Sequence, residues 1–92
     1  MKTTREAVYA ALDSERAYQD ALWHQRGEEE PAGRDEHSPE EWLTYIVDYV
    51  REAQHILSRE SYKTSYPKAA HSLRKIAALA VAAMEQHGAP KR

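Results

Sequence analysis

The sequence has no cysteine, which excludes a disulfide frame and thiolate metal sites and fits a reducing compartment. Glycine is scarce, with three in 92 residues, and β-branched residues never alternate with polar ones as in a half-buried strand. Helices are the expectation. Neither sign of charge dominates: thirteen Lys and Arg face fifteen Asp and Glu, a net charge of −2, so no global field draws the chain to a nucleic acid polymer or an anionic membrane. The stretch MKTTREAVYA at the N-terminus has no apolar run of signal-peptide length, and no membrane-span candidate follows. The expected location is the cytoplasm. The five histidines form no HxH or HExxH pattern, and neither an internal repeat nor a low-complexity tract is present.

Against this polar background stands one apolar run, Ile76 to Met84, with the sequence IAALAVAAM. It is too short to span a bilayer and too rich in alanine for a strand. A helix apolar on nearly every side needs covering on more than one side. Two further helices cover part of it, and a second subunit is expected to cover the rest.

The first helix is predicted over about 4–24, with Thr3 and Glu6 at capping-box spacing. Val8, Leu12 and Trp23 mark its apolar stripe, and helical spacing brings Arg16 and Gln19 into the same line. Asp13 and Asp20 lie within pairing distance of Arg16 along the helix. If buried, Arg16 needs a partner, either Asp20 or a ligand anion. The other reading packs only its stem and leaves its head in water.

A loop rich in acidic residues is expected over 25–37, where Glu28, Glu29 and Glu30 read as a solvated charge run rather than a metal site. The second helix, 39–59, has a full start signal in Ser38, Pro39 and Glu41. Trp42, Leu43, Ile46, Tyr49, Val50, Ala53, Ile56 and Leu57 form its apolar stripe. Beside it run Tyr45, Asp48, Glu52 and His55. Asp48 and Glu52 have the spacing to grip one magnesium ion, but a solvated face is the simpler reading.

The third helix is predicted over 67–87, with Ser65 as a cap, Pro67 in the first turn and Gly88 as the stop. Ala70, Leu73, Ile76, Ala77, Ala80, Val81 and Met84 make its main stripe. Lys68, His71, Arg74 and Lys75 make its first half basic. Tyr62 and Tyr66, with Lys63 and Lys68 nearby, have the chemistry to stack on and neutralise a nucleotide-like ligand. The fold class is all-α: one antiparallel three-helix domain over 1–92, assembled into a homo-oligomer through the alanine-rich third helix.

The segments ERAYQDALW, EEWLTYIVDYV and LRKIAALAVAAMEQHGAP together resemble a group of small phage-encoded helical proteins with an Arg-x-Tyr-Gln-Asp-x-x-Trp pattern. The pattern is also distantly similar to MazG-type helical nucleotide pyrophosphohydrolases. Those bind magnesium through Glu-x-x-Glu and Glu-x-x-Asp, and this sequence contains neither spacing. The resemblance implies a phage protein acting in the host cytoplasm.

The leading expectation is a non-enzymatic protein that sequesters a phosphorylated nucleotide-type ligand, such as a second messenger of host antiviral signalling. Arg16, Tyr18, Gln19, Asp20, Trp23, Tyr45, Arg74 and Lys75 are the candidate ligand residues. Arginine and lysine hold phosphate, aromatic rings stack on a base, and Gln19 or Asp20 reads its edge. No catalytic residue, metal or cofactor is expected. The alternatives are a divergent nucleoside triphosphate pyrophosphohydrolase using Glu41, Asp48 and Glu52, and a helical adaptor that inhibits a host protein.

Overall fold

A computed structural model describes residues 2–27, 36–59 and 62–92. Its elements are three helices, α1 Arg5–Gly27, α2 Pro39–Arg59 and α3 Tyr62–His87, and no strand occurs among the described residues. Most of the expected loop, including Glu28 to Glu30, lies outside them. So do the side chains of Tyr62 and Lys63.

The starts of α1 and α2 have local causes. Thr4, one residue later than expected, caps α1 by accepting the Ala7 amide at 3.1 Å. Ser38 and Glu41 close a reciprocal capping box on α2, the Glu41 amide donating to Ser38 Oγ and the Ser38 amide to Glu41 Oε1. At the other end of α3, Gly88 takes a φ of 103° and its amide donates to the Met84 carbonyl, the left-handed stop that glycine adopts without strain.

The start of α3 departs from expectation. The helix begins at Tyr62, so Pro67 lies inside it rather than in its first turn. Proline there has no amide for the carbonyl four residues earlier, a loss that normally breaks a helix. The helix runs through it nonetheless, with Ala69 and Ser65 on either side sealed from solvent.

α3 is the central element. Both α1 and α2 pack on it, while the backbones of α1 and α2 do not approach one another among the described residues. The beginning of α2 lies against the end of α3, where Trp42 Nε1 donates to Gln86 Oε1 at 2.8 Å. Further along, Lys75 of α3 sits over the Tyr49 ring. Trp42, Leu79 and Ala82 form the buried apolar cluster, with Trp23, Ile46, Tyr49 and Ala83 packed around it.

The buried face of α3 is not the stripe its sequence suggests. Ala69, Ser72, Ala78, Leu79 and Ala82 are buried, whereas Leu73 and Met84 are exposed. No described helix is long and apolar enough to cross a membrane.

Candidate functional site

Because α1 and α2 flank α3 without closing on each other, an open groove of about 730 Å³ remains between them, with α3 as its floor. Its walls are aromatic. Tyr18 and Trp23 come from α1, Trp42, Tyr45 and Tyr49 from α2, and His37 from the segment before α2. The Trp23 and Trp42 ring centroids lie 5.8 Å apart, so the two tryptophans bridge α1 to α2 at one end of the groove. His37 stands edge-on to Trp42 at 4.9 Å and to Tyr45 at 5.1 Å, in the tilted geometry that aromatic quadrupoles favour.

Charge in the groove is sparse. Lys75, Asp48 and Glu15 line it together with Gln19. Lys75 Nζ lies 5.5 Å from the Tyr49 ring centre, a cation-π contact. A second depression of about 550 Å³ adjoins at Tyr18, Lys75 and Glu15 and includes Arg74. Lys75 and Arg74 therefore stand at the border of the two spaces.

Behind the groove, α1 is fastened to α3 by ion pairs. Arg16 is only 8% exposed and its guanidinium holds Glu85 with two hydrogen bonds, Nε to Oε1 and Nη2 to Oε2, each 2.9 Å. It also donates to Asp20 Oδ1 at 2.9 Å and to Gln19 Oε1 at 3.2 Å, and its Cζ lies 5.5 Å from the Trp23 ring centre. Such fork-to-fork geometry is stronger than a single neutral hydrogen bond. Its electrostatic mark is mutual: the Arg16 hydrogen bond holds the Glu85 carboxyl below its ordinary range, and Glu85 in turn raises Arg16. Three turns away on α3, Arg74 Nε donates to the buried Glu15 at 2.6 Å and Arg74 Nη1 meets His71 Nδ1.

The candidate ligand residues thus separate into two groups. Tyr18, Gln19, Trp23, Tyr45 and Lys75 line the groove. Arg16 and Asp20 form the fastening behind it, and Arg74 serves both the Glu15 pair and the neighbouring depression. Glu15, Leu22, His37, Trp42, Asp48, Tyr49 and Leu79 complete the groove without having been among the candidate ligand residues. The helical line of Tyr45 and Asp48 was visible, but not the face of α2 that meets α1.

Glu41 is committed to the α2 cap, where the Ser38 amide first and its hydroxyl second hold its carboxyl below the ordinary range. Among the described residues no three of His, Asp or Glu gather as a metal-binding set. Comparison with protein-family models, curated proteins and solved structures gives no match.

Proposed function

We propose that this chain is a non-enzymatic binding protein that holds a phosphorylated, nucleotide-type ligand in the groove between α1 and α2. The observation that supports this most is the convergence of Tyr18, Trp23, Trp42, Tyr45 and Tyr49 on one space of about 730 Å³ with Lys75 beside them. The volume falls within the range of small-molecule pockets, which combine apolar walls with a few placed polar groups. A base stacking on such rings gains about 1–3 kcal/mol.

Lys75, which lines both spaces, is the cation proposed for the phosphate, while Gln19 offers an amide to a base edge; Arg74, whose guanidinium is taken up by Glu15 and His71, adds positive charge from the second depression. Arg16 acts indirectly. Its guanidinium is occupied by Glu85 and Asp20 and keeps the α1 wall in position. Sequestration asks no chemistry of the two groove carboxylates, Glu15, which is held by Arg74, and Asp48. In the phage setting that the sequence resembles, the ligand would be a host second messenger.

The test is retention. Purified protein is mixed, in the presence of magnesium, with a panel of nucleoside triphosphates and cyclic nucleotides, freed of unbound ligand, and heated to release what it held. Intact ligand, with affinity reduced at least tenfold by Lys75→Ala or Tyr45→Ala, is the expected result. Recovery as monophosphate and pyrophosphate would make the protein a hydrolase, and retention of nothing from the panel would overturn the nucleotide reading.

A further inference from the structure

α1 covers one face of the α2–α3 layer, and the opposite face is bare and apolar. On α2, Leu43, Val47, Val50 and Leu57 recur at helical spacing, and all four are exposed, Leu43 to 61%. At about 100° per residue this line lies on the side of α2 away from Tyr45 and Asp48, which face the groove. On α3, Leu73, Ala77, Ala80 and Met84 make a matching line, with Leu73 and Met84 exposed. That line sits roughly 110° around the helix from Arg74 and Glu85, the residues that hold α1. Neither bare line carries a charge, although the exposed amide of Gln54 interrupts the α2 line between Val50 and Leu57.

The interior is poor where this face is rich. Among the described residues the buried apolar set is Trp42, Leu79 and four alanines. A chain of this size is marginal even with a full core. Its bulky aliphatic side chains are instead on the outside.

We propose that two copies pair through this face about a two-fold axis, with α2 and α3 of each copy forming a four-helix core and both α1 helices outside. Three features favour a second copy. The exposed Leu, Val and Met side chains of the face present on the order of 500 Å² per chain, the upper range of patches on monomers. Doubled, and with the rim included, this approaches the roughly 1,200 Å² at which stable interfaces begin. The surface is also self-complementary in relief, since the α2 line is a ridge of Leu and Val and the middle of the α3 line is a furrow of Ala77 and Ala80. A two-fold axis sets each ridge over the other copy's furrow. Finally, an uncharged face meets its own image without like-charge cost, and the groove on the far side stays open in both copies.

The experiment is solution mass against concentration for the full chain. The expected mass is twice the 10.6 kDa of one chain, falling to a single chain in Val50→Asp with helical circular dichroism retained, while Tyr9→Asp on α1 leaves it paired. The cysteine-free sequence allows a second readout that does not depend on a destabilising charge: the double variant Val47→Cys/Ala80→Cys, which sets a ridge thiol over a furrow thiol of the other copy, cross-links two chains under oxidation, and Tyr9→Cys does not. A single-chain mass at every concentration overturns the proposal and assigns the face to a different protein. A multimer indifferent to Val50→Asp, without cross-linking of the Val47→Cys/Ala80→Cys variant, overturns it in favour of another surface. Nucleotide retention is a separate measurement, so either proposal fails without the other.

Discussion

Arg16 and Glu85 meet fork to fork, two nitrogens on two oxygens at 2.9 Å each, and so join the middle of α1 to the last turn of α3. One partner is buried and the other is not. The Glu85 side chain is 53% exposed, so solvent screens the pair and its strength lies in geometry more than in bare charge.

A double-mutant cycle between Arg16→Ala and Glu85→Ala should therefore give a coupling of about 1 kcal/mol. Arg16→Lys should lose nearly the whole coupling, because an ammonium cannot make the paired contact or serve Asp20 and Gln19 together. Urea midpoints at constant slope provide the measurement.

Acid should weaken the fold. Glu85 and Glu41 both sit below their ordinary value of 4.5, Glu85 through Arg16 and Glu41 through Ser38. A carboxylate with a depressed folded pKa stabilises fully above its unfolded value, and the contribution is lost as pH falls through the folded one. Urea midpoints measured below pH 4.5 should fall more steeply for the wild type than for Glu85→Gln.

Ser65 is fully buried and its hydroxyl has no hydrogen-bond partner among the described residues. An unsatisfied buried hydroxyl costs about 1–3 kcal/mol, and alanine is the better helix former. Ser65→Ala should raise stability by about 1 kcal/mol, seen as a higher thermal midpoint.

Trp42 is 1% exposed and its indole donates to Gln86 Oε1, which also accepts the His37 amide at 3.1 Å. Trp42→Phe should cost about 1–3 kcal/mol through the lost hydrogen bond and lost volume. Gln86→Leu strands the buried N–H and should cost a similar amount, which denaturant titration of both variants would check.

The sequence made some of this legible and hid the rest for identifiable reasons. Ser38, Pro39 and Glu41 mark the start of α2 because capping is local chemistry, and the observed cap matches. The polar intrusion of Arg16 and Gln19 into an apolar stripe left two readings open, heads in water or burial with a partner; both side chains are buried, and Asp20 is one of the Arg16 partners. Glu85 and Glu15 stayed out of sight, because which residue of α3 stands opposite Arg16 depends on how the helices cross. The buried face of α3 was misread because a helix apolar all round gives periodicity nothing to select. Leu73 and Met84 belonged to the strongest stripe and face outward. Pro67 set the expected helix start too late, since local propensity carries no record of the burial of Ser65 and Ala69.

Glu15 and Arg16 are neighbours on α1 with opposite charges, and they reach in opposite directions along α3, one to Arg74 and the other to Glu85. The arrangement works as a vernier. Sliding α1 by one turn, about 5.4 Å, would pull both pairs apart, leaving Glu15 buried without its partner and Arg16 with only Gln19 and Asp20 of its own helix, at a cost of several kcal/mol. Apolar packing tolerates such slippage far better. The level of the Tyr18 wall along α3, and so its position against the Tyr45 wall, is thus gauged by charge register, although the backbones of α1 and α2 do not approach one another among the described residues.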